Sequence, residues 1–233
     1  ALTIEGGNVT ATATGENGYG LYANNCVEID GSTEAGAVSV TATGTGDNAA
    51  IYAENGIITL TDADITATAV NADAIRAERG DLTIEGGNVT ATATGTGEDV
   101  GGLYASDAVE ISDESVVNAS GSQYGIYSGG NVTISDGNVT AEGTSESGIY
   151  TTGSISIAKN GEADITVTAR GGEYGIYSNG GDVSIENCEV NATGTASDAI
   201  SANIITLTNA TVTAEGANGI STSSGALIIN GGP

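Results

Sequence analysis

The sequence predicts an all-β fold, a single right-handed parallel β-helix of about nine coils with three strands each, over residues 1–233. Three observations lead to this prediction. An apolar triplet recurs along the whole chain, each strand segment alternates apolar and polar residues, and Gly, Asn or Asp turns separate the segments. Such a period is typical of a solenoid, in which each repeat packs on its neighbours.

The first strand of each predicted coil is the apolar triplet. Its first copy is Leu2-Thr3-Ile4 and its last is Leu227-Ile228-Ile229, so ten triplets divide 225 residues into nine coils that average 25 residues. The triplets start at Leu2, Val27, Ile58, Leu82, Val109, Val132, Ile155, Val183, Ile205 and Leu227.

Two further strands complete each coil. A turn leads to a second strand of the type Val9-Thr10-Ala11-Thr12, which returns at residues 89–92, 165–168 and 212–215. The third strand carries a Gly-Ile-Tyr element, as in residues 125–127 and 148–150. Alternation along all three strands places Val, Ile, Leu and Ala on an inner face and Thr, Ser, Glu and Tyr on an outer face.

Stacked coils satisfy this pattern better than hairpins do. Two-residue hairpin turns do not recur at constant intervals in the sequence. Each strand is therefore expected to pair in parallel with its equivalent one coil away, at about 4.8 Å, so that like residues form columns along the axis. A right-handed winding is expected because parallel crossover connections strongly favour it.

The two ends of the chain match each other and show no cap. Residues 2–15 and 82–95 are the same string, LTIEGGNVTATATG, and residues 227–232 resemble residues 2–7. Because uncapped sheet edges are adhesive, the expected partners are copies of the same chain or adjoining coils, packed end to end. The start at Ala1 and the lack of Met indicate a processed product or a fragment of a longer repetitive protein.

The charge of the chain excludes several partners. Thirty Asp and Glu residues face four Lys and Arg residues, and the net charge is −26. This surface repels phosphate and anionic lipid, so neither nucleic acid nor membrane insertion is expected, and no apolar run is long enough to cross a bilayer. Cations, neutral glycans and proteins remain as partners.

Catalytic chemistry has few candidate residues, and we predict that the protein is not an enzyme and needs no cofactor. The chain has no His, and its Cys26 and Cys188 lie in coils 1 and 8, too far apart for a disulfide. Cys188 aligns with inward Ala63 and Ala210, which indicates a buried thiol. Two carboxylate pairs are the alternative, since such pairs can hydrolyse glycosides. They are Asp62 with Asp64 and Glu98 with Asp99.

A column of tyrosines is the most suggestive surface feature. Each tyrosine follows an inward Leu or Ile, so the rings are expected to point outward in one column that Arg76 interrupts. The column is a candidate contact surface for sugar rings or for self-association, and the alternative is that the rings pack on one another and stiffen the sheet. The members are Tyr22, Tyr52, Tyr104, Tyr127, Tyr150 and Tyr177.

Two outward threonine columns suggest a third, lesser alternative, the ordering of water in an ice-binding solenoid. Asn118, Asn191, Glu142 and Glu215 interrupt them, and Thr is also a common residue of exposed strands. The first column is Thr10, Thr41, Thr66, Thr90, Thr140, Thr166 and Thr213. The second column is Thr12, Thr43, Thr68, Thr92, Thr168 and Thr193.

Acidic residues gather just before the third strands and could hold Ca²⁺, but the nonapeptide of calcium-binding β-rolls is absent, which favours solvated turns as their explanation. They are Asp47, Asp73, Asp99, Glu146, Glu173 and Asp198.

The GNVTATGT-like and GIYA/GIYS-like elements give the whole chain a family resemblance. It resembles the repetitive right-handed β-helix surface proteins of clostridia, which bind carbohydrate, and the adhesin-like β-helix proteins of methanogenic archaea. The resemblance implies an extracellular, cell-surface location, binding to polysaccharide or other surfaces, and in some members bound Ca²⁺. It transfers no catalytic or ligand residue.

These observations together predict a non-enzymatic extracellular stalk, adhesin or head-to-tail fibre subunit with the tyrosine face as its contact surface. The alternatives are a carbohydrate-binding module, calcium-dependent in one version, and an ice-binding solenoid.

Overall fold

The computed structural model describes residues 1–33, 36–97 and 100–231. Across these ranges the regular structure is β-strand, and none of it is a helix that could span a bilayer. The strands are numbered β1 to β28 in chain order. They form three parallel sheets that stack as a β-helix of about nine coils, which confirms the predicted fold class.

The first sheet collects the apolar triplets. Its strands, in spatial order, are β1 (Leu2–Ile4), β4 (Val27–Asp30), β7 (Ile58–Thr61), β10 (Leu82–Glu85), β13 (Val109–Ser112), β16 (Val132–Ser135), β19 (Ile155–Ala158), β22 (Val183–Glu186), β25 (Ile205–Thr208) and β28 (Leu227–Asn230). All ten predicted triplets are therefore strands of one sheet.

The second sheet contains the threonine-bearing strands. They are β2 (Gly7–Thr12), β5 (Val38–Thr43), β8 (Ala63–Ala69), β11 (Asn88–Ala93), β14 (Val116–Gly121), β17 (Asn138–Gly143), β20 (Thr166–Gly171), β23 (Glu189–Gly194) and β26 (Thr211–Glu215).

The third sheet contains the Gly-Ile-Tyr strands. They are β3 (Leu21–Ala23), β6 (Ile51–Ala53), β9 (Ile75–Ala77), β12 (Gly101–Ala105), β15 (Tyr124–Ser128), β18 (Ser147–Thr151), β21 (Tyr174–Ser178), β24 (Ile200–Ala202) and β27 (Ile220–Thr222).

The core is a set of aliphatic columns that run along the axis. In the first sheet Leu82 pairs with Ile58 and Val109, while Ile84 pairs with Leu60 and Ile111. All of these side chains are at most 1% exposed, so each coil covers the apolar face of the next. Burial of this area is the main favourable contribution to folding.

The corner between the first and second sheets uses left-handed backbone. Asp62, Asp136 and Asn209 have φ values of 46°, 60° and 48°, and Gly86 at the equivalent corner has a φ of 72°. Gly, Asn and Asp tolerate this conformation best, which explains why the sequence places them at these corners. Asp136 also accepts hydrogen bonds from the backbone N–H groups of Asn160 and Gly161, both at 2.7 Å.

The corner after the third sheet uses buried hydroxyl groups in three successive coils. Ser128 and Ser178 are at most 2% exposed and donate hydrogen bonds to carbonyl oxygens one coil away, of Asp107 at 2.6 Å and Gly153 at 2.7 Å. Thr151, between them, donates to Gly130. These bonds satisfy buried polar groups where the chain leaves the ladder.

The predicted register of one second strand is wrong by two residues. The sequence aligns Ile165-Thr166 with Val9-Thr10, whereas the structure pairs Val167 with Val139 and Thr168 with Thr140. A shift of two leaves every side chain on its predicted face, so alternation cannot detect it. The glycines that end these strands reveal the register, since Gly171 pairs with Gly143 and Gly194.

Candidate functional sites

The predicted tyrosine column is present on the outer face of the third sheet. Tyr22 pairs with Tyr52, which pairs with Arg76, and Arg76 pairs with Tyr104. Tyr104, Tyr127, Tyr150 and Tyr177 then follow in unbroken register. The alignment of all six residues and the interruption at Arg76 are thus confirmed, while their role as a contact surface stays a prediction.

Three further tyrosines, which the sequence reading missed, join this face. Tyr19 lies 4.8 Å from Tyr52 between ring centroids, Tyr124 lies 5.2 Å from Tyr150, and Tyr174 lies 4.4 Å from Tyr177. Each stands three residues before a column tyrosine in the motif Tyr-Gly-(Leu/Ile)-Tyr, at residues 19–22, 124–127 and 174–177. The recurrence of this motif in the sequence is the pattern that identifies these three tyrosines. All nine tyrosines of the chain therefore share one face, and we call these nine residues the tyrosine face.

The rings of the tyrosine face pack mainly on one another. Tyr127 has Tyr104 on one side at 4.9 Å and Tyr150 on the other at 5.2 Å, with interplanar angles of 5° and 15°. Such aromatic pairs stabilise by about 0.5–1.5 kcal/mol beyond their buried area. Both faces of the Tyr127 ring are therefore occupied, and its edge and hydroxyl group remain for a ligand. Tyr22, at the column's start, is 47% exposed.

Polar side chains tie the phenol groups together. Tyr22 donates a hydrogen bond to Glu54, which also accepts one from Asn24 at 3.3 Å. Asn179 accepts a hydrogen bond from Tyr177 at 3.3 Å and donates one to Tyr150 at 3.1 Å. The hydroxyl edge of the face is thus a hydrogen-bonding surface of phenols, amides and carboxylates.

Arg76 divides the tyrosine face with a charged cluster. Its guanidinium lies 2.5 Å from both the Asp73 and the Glu78 carboxylates and 4.0 Å from the ring centroid of Tyr104. Burial opposes its charge, yet Glu78 and Asp73 raise the pKa of Arg76 above its ordinary value. Asp73 is 1% exposed and also accepts the Gly101 backbone N–H at 2.7 Å.

The threonine columns exist with one correction. Thr168 stands in the first column, beside Thr140 and Asn191. The second-column position predicted for Thr168 is occupied by Arg170, between Glu142 and Thr193. Thr166 is the first residue of β20 and lies outside both columns. The uninterrupted array covers the first four coils, with both threonines present in β2, β5, β8 and β11. Ice binding stays a prediction.

The predicted acidic row does not converge on one centre. Asp73 is engaged by Arg76, and Asp198 accepts a hydrogen bond from Asn218 at 2.6 Å. Burial and the neighbouring Glu173 raise the pKa of Glu146. Asp99 lies outside the described residues. Within the described ranges, no group of three or more His, Cys, Asp or Glu side chains could hold a metal ion.

The carboxylate pairs proposed for glycoside hydrolysis have other surroundings. Asp62 forms a left-handed corner, and Asp64, on the outer face of β8, accepts a hydrogen bond from Asn88 at 2.7 Å. Glu98 and Asp99 lie outside the described residues.

The two cysteines are free thiols, as predicted. Cys188 is 8% exposed and precedes Glu189, which pairs with Thr211, so that Cys188 shares the inward column of Ala210. Burial raises the pKa of the Cys188 thiol to about 11. The cysteine therefore serves as a small apolar residue.

The end coils form the second candidate site. The string shared by residues 2–15 and 82–95 allows the burial of identical residues to be compared between the first coil and the fourth. Leu2, Ile4 and Val9 in the first coil are half-buried, whereas their identical counterparts Leu82, Ile84 and Val89 are at most 1% exposed. The fourth coil is covered on both sides, but β1, β2 and β3 have a neighbour on one side only. Cover by one neighbouring coil instead of two accounts for the difference.

The opposite end exposes apolar side chains as well. Leu227, Ile228 and Ile229 of β28 are 43%, 41% and 65% exposed. In the same inward column, Ile185 is fully buried and Leu207 is 8% exposed, so burial fails only at the last strand. Both ends therefore present apolar side chains beside unpaired edges of parallel sheets.

Comparison of the chain with protein-family models, curated proteins and solved structures finds no match. The likeness to clostridial and archaeal β-helix surface proteins accordingly remains a prediction from the sequence elements that carry it.

Proposed function

We propose that this protein is a non-enzymatic structural module, an extracellular stalk, adhesin or fibre subunit whose end coils pack against further β-helix coils. The observation that carries the proposal is the difference in burial between residues 2–15 and the identical residues 82–95. The first coil becomes equivalent to the fourth when another coil covers it. The extracellular location rests on the sequence resemblance alone.

The composition supports a load-bearing role rather than a catalytic one. The described coils repeat one geometry along the axis, and the polar side chains at their corners mainly satisfy backbone groups. In such parallel ladders an interior coil can unfold only by losing its interfaces with both neighbouring coils, which resists local unravelling. A net charge of −26 opposes association between copies, so packing end to end must depend on salt.

Electron microscopy of the purified 233-residue chain tests this function. Lowering the Debye length from about 30 Å at 0.01 M salt to about 3 Å at 1 M should convert short rods into end-to-end filaments. A variant with Ile229→Asp and Ile4→Asp adds a charge to each end and should remain as single rods in both conditions. Dispersed short rods of the unaltered chain at every salt concentration would contradict the proposal.

Binding of carbohydrate by the tyrosine face is the second candidate function. The gathering of all nine tyrosines on one face favours it, because aromatic rows with hydrogen-bonding edges suit neutral sugars. Glycan-array binding that is lost in Tyr127→Ala and Tyr150→Ala would support this function, and Tyr22→Ala probes the exposed end of the column. Thr133→Ala, on the outer face of the first sheet, is the matched control. A blank array for the unaltered chain would count against it.

A further inference from the structure

The tyrosine column stops inside the chain, between the seventh coil and the eighth. Tyr177 pairs with Ser201, and Ser201 pairs with Ser221, so the two coils after Tyr177 carry serine at the column position. A step therefore forms on the outer face of the third sheet, with phenol rings on one side and short hydroxyl side chains on the other.

Tyr174 stands at this step and has one ring neighbour fewer than its counterparts in the other two Tyr-Gly-(Leu/Ile)-Tyr motifs. Both counterparts, Tyr19 and Tyr124, contact the second tyrosine of their own motif and also the tyrosine of the next coil. In the described part of the chain Tyr174 has a ring contact with Tyr177 alone, at 4.4 Å between centroids and 19° between planes. The next coil supplies Ser201 where those motifs meet a tyrosine, so one place beside the Tyr174 ring has no ring in it.

The floor and the side of the step carry hydrogen-bonding groups that the chain leaves unused. Ser201 is only 9% exposed, and among the described residues neither its hydroxyl group nor that of Ser221 has a hydrogen-bond partner. Asp198 accepts a hydrogen bond from Asn218 at 2.6 Å through Oδ1, while its Oδ2 has no partner within the same ranges. Buried hydroxyl groups normally have a partner, so an unpaired one points to a group supplied from outside the chain.

We propose that this step binds one pyranose ring of a neutral glycan. The inference rests on the second candidate function, carbohydrate binding, and gives it a location and a ligand. The apolar C–H face of the sugar stacks on Tyr174, and its hydroxyl groups bond to the serine hydroxyls and to the Asp198 carboxylate. We call the site the aromatic step, and its residues are Tyr174, Tyr177, Asp198, Ser201, Asn218 and Ser221.

The same groups select against other ring-shaped ligands. A planar aromatic ligand could stack on Tyr174 but would leave the Ser201 hydroxyl without a partner, which costs free energy. An acidic sugar would meet the Asp198 carboxylate on a chain whose net charge is −26. A neutral pyranose suits both groups, because its hydroxyls donate and accept hydrogen bonds.

Saturation-transfer NMR with the methyl glycosides of glucose, galactose and N-acetylglucosamine tests the site on the full 233-residue chain. Ser201→Tyr, which restores a column tyrosine beside Tyr174, should abolish transfer to the sugar ring protons. Tyr174→Ala should weaken it by about fivefold or more, whereas Tyr174→Phe keeps the stacking ring and should retain it. Ser156→Tyr, the same substitution on the exposed outer face of β19, is the matched control and should leave the transfer unchanged. Thermal unfolding shows whether each variant is folded.

The outcomes separate the aromatic step from the candidate function. Sugar signals that survive in both Ser201→Tyr and Tyr174→Ala overturn the step, and their loss in Tyr127→Ala would then keep carbohydrate binding by the rest of the tyrosine face. Transfer to p-cresol, an aromatic probe, without transfer to a sugar overturns the sugar as ligand. No transfer to any of the three glycosides at millimolar concentration overturns the step, and a blank glycan array in addition overturns the candidate function.

The charge of Asp198 gives an independent readout. Asp198→Asn keeps an acceptor for Asn218 and removes the carboxylate, so methyl glucuronoside should gain transfer relative to methyl glucoside in this variant. Equal transfer to the two sugars in the unaltered chain would contradict the preference for a neutral ring.

Discussion

The guanidinium carbon of Arg76 lies 4.0 Å from the ring centroid of Tyr104. Arg76 occupies the column position that is a tyrosine in both neighbouring strands of the third sheet, Tyr52 in β6 and Tyr104 in β12. A cation over an aromatic ring contributes about 0.5–2 kcal/mol, depending on its desolvation. Arg76 thus packs on one of the two parts of the tyrosine face from a coil that has no tyrosine. It also supplies the counter-charge for Asp73, which is 1% exposed.

Replacement of Arg76 with alanine should destabilise the protein by about 3 kcal/mol, because a buried carboxylate loses its guanidinium. The free energy of unfolding, measured by denaturant titration, checks this expectation. A loss below about 0.5 kcal/mol, the range of ordinary surface substitutions, would show that the ion pair contributes little.

The second coil offers a matched control for Arg76. There, Ala49 and Tyr52 occupy the positions of Asp73 and Arg76. The double variant Asp73→Ala with Arg76→Tyr should regain most of the stability that Arg76→Ala loses. The remaining deficit, about 1 kcal/mol, reflects the acceptor that the Gly101 N–H loses.

Alkaline titration should show Tyr52 ionising late. Burial, with the nearby Glu78 carboxylate, raises the pKa of Tyr52 to about 12 from an ordinary value of 10.0. Because the folded-state pKa is the higher one, this tyrosine's contribution to stability is complete below pH 10 and is lost as the pH rises toward 12. The difference in phenolate absorbance between the unaltered chain and Tyr52→Phe should give this titration directly. A midpoint near pH 10 would contradict the burial of the ring.

Sequence periodicity could predict the fold because each structural demand has its own residue signature. The triplets that start at Leu2, Val27 and their equivalents are all strands of one sheet, and left-handed corners fall on Asp62, Gly86 and Asn209. Period-two alternation fixes which face a side chain occupies but leaves shifts of two residues undetermined. Thr166 and Thr168 were misaligned for that reason.

The candidate site could be predicted only in part. The column from Tyr22 to Tyr177 follows from strand alternation. Tyr124 and Tyr174 are the first residues of their strands and Tyr19 lies two residues before β3, where alternation no longer assigns a face. The ion pairs of Arg76 depend on side-chain conformations across a turn, which no periodic pattern encodes. The burial lost at the end coils is likewise visible only when neighbouring coils are in place.

The two thiols should react at very different rates. Cys188 is 8% exposed and burial raises its pKa to about 11, so little thiolate is present at pH 8, whereas Cys26 is only half-buried. An aromatic disulfide reagent should modify one thiol readily and the second only in denaturant. In Cys26→Ser the fast phase should disappear. A rapid reaction of Cys188 in the native state would show that its coil opens.

Cys188→Ala should leave the stability within about 1 kcal/mol, because only one heavy atom is removed at a position where other coils carry alanine. Ala63 and Ala210 stand in the same inward column. Thermal unfolding of the variant checks this, and a larger loss would indicate that the sulfur fills space that its neighbours cannot close.

Two isoleucines in one inward column test whether the stability that a side chain contributes depends on cover by neighbouring coils. Ile134 lies in a central coil and is fully buried, while Ile229 is 65% exposed on β28. Ile134→Ala should cost about 2–5 kcal/mol through lost burial and a residual cavity. Ile229→Ala, measured on dispersed rods at low salt, should cost well under half of that, since most of its side chain is already in water. At high salt the two variants should differ in the property they affect if a second copy covers β28. Ile229→Ala would then reduce filament length, whereas Ile134→Ala would lower the unfolding temperature. Equal losses of stability in dispersed rods would contradict the exposure of β28 and, with it, the end surface on which assembly depends.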